Sequence, residues 1–160
     1  STTVRENVRL PLDLCTKMTE GEKRDRVDFC LERVRLQGAD RLYPSELSGG
    51  MVKRVAIARA IVLNPRYLFC DEPNSGLDPQ TSVVIDELIK DITREYNITT
   101  IINTHDMNSV MELGEKIVYI HEGRKWWEGT MDDILHAENK ELNDFVFASA
   151  MAQRAKSVKR

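Results

Sequence analysis

The chain has 160 residues and a formal net charge of −3, with 23 Lys and Arg against 26 Asp and Glu. That is one domain's worth of chain, long enough to bury a core, and its charge balance gives no reason to expect nucleic acid as a partner. The longest apolar stretch, residues 55–63, is broken by Arg59 and is too short to span a bilayer, and the charged residues Arg5, Glu6 and Arg9 argue against a signal peptide.

From the N-terminus, the first half reads as helical. Thr19 followed by Glu22 has the form of a capping box. Val27, Cys30, Leu31 and Val34 then fall at helical spacing, and Tyr43-Pro44 is expected to end the region, because the residue before proline resists the helical conformation. Ser48-Gly49-Gly50 opens a second helix over residues 51–63, with Val52, Val55, Ala56, Arg59 and Leu63 expected on one face and Asn64-Pro65 as its stop. Tyr67-Leu68-Phe69-Cys70 reads as a buried parallel strand ending abruptly in Asp71-Glu72-Pro73. Asp78-Pro79 joins an N-cap residue to proline at the first helical position, and Ile85, Leu88, Ile89, Ile92 and Tyr96 continue a helical stripe.

Residues 98–103 form a second β-rich run before Thr104-His105-Asp106, and a short helix through Val110 and Leu113 stops at Gly114. Residues 117–120 and 125–128 read as strands of a hairpin, in which adjacent Trp126 and Trp127 should face opposite sides, one of them packing on the core. The rest reads as helical, through Ile134, Leu135, Leu142, Phe145, Val146 and Phe147, and ends in a basic, solvated tail with Arg154, Lys156, Lys159 and Arg160. Cys15, Cys30 and Cys70 read as reduced thiols serving as small core residues.

Strand, helix, strand, short helix, strand is the order of a parallel α/β layer, whose ligands bind beyond the carboxyl ends of the strands. Asp71 and Glu72 stand at one such end: an Asp there can hold a hydrated Mg²⁺ and a Glu can orient a water, or both can merely cap the next helix. His105 follows the second strand, and there it is either a structural residue or a phosphate contact. Ser48-Gly49-Gly50 at a helix start suits an anion, since glycines admit close backbone approach and the helix N-terminus favours negative charge; a plain N-cap is the alternative. Ser75-Gly76-Leu77-Asp78 is a turn and a cap by itself.

Taken in order, these segments resemble the ATP-binding subunits of ABC transporters. Leu47-Ser48-Gly49-Gly50-Met51 resembles their signature motif, and residues 67–72 the Walker B strand with its following glutamate. Ser75-Gly76-Leu77-Asp78 resembles the D-loop, and Thr104-His105-Asp106 the switch-histidine loop. The resemblance implies an α/β fold, a P-loop NTPase-like parallel sheet with flanking helices plus a helical subdomain. It divides the chain into a helical subdomain with the signature helix (1–63), a core part (64–129) and C-terminal helices with the basic tail (130–160). It implies Asp71 as the Mg²⁺ residue, Glu72 as the group polarising the hydrolytic water and His105 as a γ-phosphate contact. Ser48, Gly49 and Gly50 would grip the γ-phosphate of ATP held by a second subunit, and Asp78 would couple the two subunits of a head-to-tail pair. The expected place of work is the cytoplasmic side of the inner membrane, through a permease partner.

Glu46, Met51 and Val52-Lys53-Arg54-Val55-Ala56 resemble the ATPases of bacterial lipid-trafficking systems of the Mce or Mla type. Importer ATPases for amino acids or other small solutes are the nearest alternative. ABC-type proteins of DNA and ribosomes, and a non-catalytic interaction module, are further ones.

None of the eight glycines is followed by lysine, so a Walker A phosphate loop is absent from these residues. The glutamine loop is absent too, and residues 3–8 resemble the segment that follows it. The expectation is therefore a C-terminal portion of the subunit that neither binds ATP tightly nor hydrolyses it alone, and that self-associates through exposed sheet edges.

Overall fold

A computed structural model describes residues 2–147, and these fall into two compact units, one through Thr104 and one from His105 onward. The basic tail lies outside the described residues.

The first unit begins with α1 (Val4–Cys15), α2 (Glu20–Arg33) and α3 (Gly49–Ile61). Capping boxes start α1 and α2: Thr3 pairs with Glu6, and Thr19 with Glu22, satisfying backbone donors that a helix start leaves open. Val27, Cys30, Leu31 and Val34 are buried, against Val4, Val8 and Leu12 of α1 among others. Each large aliphatic side chain buried here contributes about 1.5–3 kcal/mol.

Helix α2 ends about ten residues before Tyr43-Pro44. Arg35 takes a left-handed conformation at φ 56°, and its amide donates to the Glu32 carbonyl at 2.9 Å. Pro44–Glu46 forms only a 3-10 turn. Two arginines then cap each other's helices. Arg26 of α2 donates to the carbonyls of Val62 (2.8 Å) and Ile61 (2.9 Å), at the end of α3. Arg54 of α3 donates to those of Arg35 (2.9 Å) and Val34 (3.3 Å), at the end of α2. A guanidinium at a helix C-terminus satisfies orphan carbonyls and complements the dipole.

The buried face of α3 is Gly50, Ile57, Ala58 and Ile61. The face that gathers Val52, Val55, Ala56 and Arg59 is the outward one: all of these but Val55 are exposed, as is Leu63 just past the helix. α3 carries apolar residues all round, so helical period alone does not single out the inward side.

Strand β1 (Tyr67–Asp71) pairs in parallel with β2 (Thr99–Asn103), in the register Tyr67↔Thr99 through Asp71↔Asn103. α4 (Pro79–Glu95) connects them and buries Ile85, Leu88, Ile89 and Ile92, as its stripe predicts. Leu68, Cys70 and Ile102 face this core. The strand is not buried on both faces as expected, because Tyr67 and Phe69 are 61% and 71% exposed, with Ile101 beside Phe69 also open. Cys15 is likewise exposed and is no core residue.

The second unit holds α5 (Met107–Leu113), β3 (Ile117–His121), β4 (Arg124–Gly129), α6 (Met131–His136) and α7 (Lys140–Val146). β3 and β4 form an antiparallel hairpin of their own, so among the described residues the parallel layer has two strands, not three. Glu122 and Gly123, both at positive φ, make its two-residue turn. A register shift next to Tyr119 leaves Trp126 as an extra residue in β4. Trp127 packs with Tyr119 in a small core around Ile134, Leu142 and Val146, while Trp126 meets His121, which stacks on Tyr119. Trp127 is thus the ring on the core, as expected, and Trp126 is 41% exposed. No described helix is long and apolar enough to cross a membrane.

Candidate functional site

β1 delivers Asp71 as its last residue, opposite Asn103 at the end of β2. Asn103 Nδ2 donates to Asp71 Oδ1 at 2.7 Å, so the amide ending one strand orients the carboxylate ending its neighbour. Asp71 is exposed. Glu72 follows at φ 47°, a left-handed conformation that costs a non-glycine residue about 1–2 kcal/mol. Its backbone is held on both sides: its amide donates to the Asn103 carbonyl at 2.8 Å. Its carbonyl accepts from Ser75 N at 3.2 Å and from Lys53 Nζ at 3.0 Å. Beyond Pro73, buried Asn74 donates through Nδ2 to Asp86 Oδ1 of α4 at 2.7 Å, anchoring the loop.

The second group lies where α3 begins. Ser48 is the N-cap, its Oγ accepting from Met51 N at 3.3 Å. Gly49 and Gly50 are where α3 passes close to the start of α4 and the loop before it. A β-carbon would stand 3.3 Å from Leu77 Cδ2 at the first and 2.5 Å from Thr81 Cγ2 at the second. Asp78 caps α4, with Oδ1 accepting from Thr81 N at 3.0 Å and Oδ2 from the Thr81 hydroxyl at 2.5 Å. That hydroxyl, foremost, holds the Asp78 carboxyl below its usual range. Ser48 and Asp78 are thus caps in this chain, and Gly50 is a packing glycine as well as the third member of an anion-suited turn.

His105 is the second residue past β2 and opens the second unit. Sequence reasoning missed Asn103, Lys53 and Thr81. Asn103 had a signal, a polar residue ending an apolar strand, but only the register reveals that it faces Asp71. Among the described residues no three His, Cys, Asp or Glu side chains cluster as a metal cage. An exposed carboxylate with an amide neighbour is instead a donor suited to hydrated Mg²⁺ arriving with a nucleotide, since Mg²⁺ keeps waters and takes one or two carboxylates plus phosphates.

Two paired parallel strands, one ending in the Asp71 carboxylate and the other in the Asn103 amide, with a glycine-opened helix start in the same unit, make an α/β domain of the kind whose ligands bind beyond the strands' carboxyl ends. Residues 1–75 match the family model described as ABC transporter. The methionine import ATP-binding protein MetN 2 of Pseudomonas entomophila is 40% identical over 147 residues, covering 91% of this chain and 44% of that protein. The dimeric structure of MJ0796, a bacterial ABC transporter cassette, has 36% identity and a TM-score of 0.72, covering 81% of this chain and 57% of that one. The structure of cbiO1 from Clostridium perfringens, part of the ABC transporter complex cbiONQ, has 31% identity and a TM-score of 0.79, covering 99% and 61%. These similarities show that the chain has the fold of an ABC ATPase cassette and resembles ABC transporter ATP-binding proteins in sequence. The chain spans less than half the length of the methionine-import relative. The lipid-trafficking resemblance of residues 46–56 finds no support among these relatives.

Proposed function

We propose that this chain is a portion of the ATP-hydrolysing subunit of an ABC importer for amino acids or similar small solutes. The observation that carries the hydrolytic part is the oriented Asp71 and the adjoining Glu72 at the common carboxyl end of two parallel strands. In this reading Asp71 holds Mg²⁺ through water, Glu72 polarises the attacking water and His105 contacts the γ-phosphate. Ser48, Gly49 and Gly50 grip the γ-phosphate of ATP bound to a second, head-to-tail subunit, and Asp78 couples the pair. The dimeric cassette MJ0796 supports the pairing, and cbiO1, part of a transporter complex, supports a permease partner in the membrane. The methionine-import relative favours a small solute as cargo over lipid.

The test uses the full-length subunit. Glu72→Gln is expected to cut ATP turnover by about 100-fold or more while Mg-ATP still binds, the size of effect a general base supplies. Unchanged turnover would return the protein to a non-catalytic role. With the permease in vesicles, an amino acid is expected to stimulate turnover; stimulation by phospholipid alone would restore the lipid reading.

A further inference from the structure

We infer that Lys53, on the fifth residue of α3, is a positioning residue for Glu72, holding it in the left-handed conformation that aims its carboxylate. The inference rests on the catalytic role proposed for Glu72. Glu72 has no glycine's freedom at φ 47°, so its conformation must be imposed by neighbours. Its amide bond to Asn103 runs across the strand pair and its carbonyl bond from Ser75 lies within the turn, both of them between main-chain atoms. The 3.0 Å bond from Lys53 Nζ is different: it comes from another helix, it is partly buried, and its donor is charged. It is also made to a main-chain atom, so it constrains the backbone on which the Glu72 side chain is mounted. The same helix starts at Ser48, so one rigid element joins the turn proposed to meet the partner's ATP to the glutamate serving this subunit's own ATP.

A plain packing role, with the alkyl stem of Lys53 covering its neighbours, predicts that methionine substitutes well. A positioning role predicts that it does not. In the full-length subunit with its permease, Lys53→Met is expected to lower kcat about tenfold or more while the KM for ATP stays within twofold, because misplacing a reacting group by a fraction of an ångström already slows chemistry. Lys53→Arg, which can still donate to the carbonyl, is expected to keep half or more of the turnover. If Lys53→Met fails to fold, Lys53→Leu, which likewise cannot donate to the carbonyl, decides on the same split of kcat against KM. The inference is overturned if the deciding variant turns over ATP within twofold of the unmodified subunit, or if Lys53→Arg is as impaired as Lys53→Met. Glu72→Gln run in parallel separates the two ideas. If it leaves turnover intact, the catalytic reading itself fails; if it abolishes turnover while the deciding variant is normal, only the role of Lys53 fails.

Discussion

Two lysines converge on one carboxylate at Glu128: Lys116 Nζ lies 2.6 Å from Oε1 and Lys125 Nζ 2.8 Å from Oε2. The hydrogen bonds from Lys116 and then Lys125 hold its pKa down to about 2, from an ordinary 4.5. A depressed carboxylate stabilises the fold above its unfolded pKa, and that contribution fades as pH falls through the folded value. For Glu128 the window runs from 4.5 down to about 2. The group is exposed, so the effect is screened and salt-sensitive. A carboxyl NMR titration at low salt should show Glu128 titrating well below the other glutamates, and Lys116→Ala should move it upward. A midpoint near the ordinary value in the unmodified protein would count against the paired geometry. At this scale the site was partly legible: Asp71-Glu72, Ser48 and Asp78 announce themselves as polar residues at element ends. The left-handed backbone of Glu72 and the reach of Lys53 were not, because neither follows from residue type or spacing.

Between elements, the tightest constraint is Gly50 of α3 against Thr81 of α4. Thr81 cannot readily turn its methyl away, since its hydroxyl is engaged by Asp78. Gly50→Ala is therefore expected to destabilise the fold by about 1–3 kcal/mol, the usual cost of overpacking. Adding Thr81→Ser, which keeps the hydroxyl and removes the methyl, should recover most of that loss in denaturant unfolding. No recovery in the double variant would refute the contact as the cause. Recovery of stability without ATP turnover would show that Gly50 also meets phosphate. Helix positions were read well where an amphipathic stripe and a cap agree, as in α2 and α4. The inward side of α3 was not, because its apolar residues surround it, and the end of α2 was not, because Arg35 takes up a conformation usually left to glycine. The bulge at Trp126 was not legible either, because one extra residue leaves no mark in composition.

On the molecular scale, the open side of the β1–β2 pair presents Tyr67, Phe69 and Ile101, and each strand has an unpaired outer edge among the described residues. Apolar side chains next to free backbone donors favour association. The 160-residue chain is expected to associate as its concentration rises, and Phe69→Lys to weaken this; light scattering that reports a monomer throughout would contradict the expectation. The reciprocal arginine caps give the helical part a different property. Because Arg26 grips the tail of α3 and Arg54 the tail of α2, neither helix can tilt alone without stripping carbonyls of their donors. A push delivered to α2 is therefore passed to α3 as the displacement of one stiff lever, with Ser48 at its moving tip.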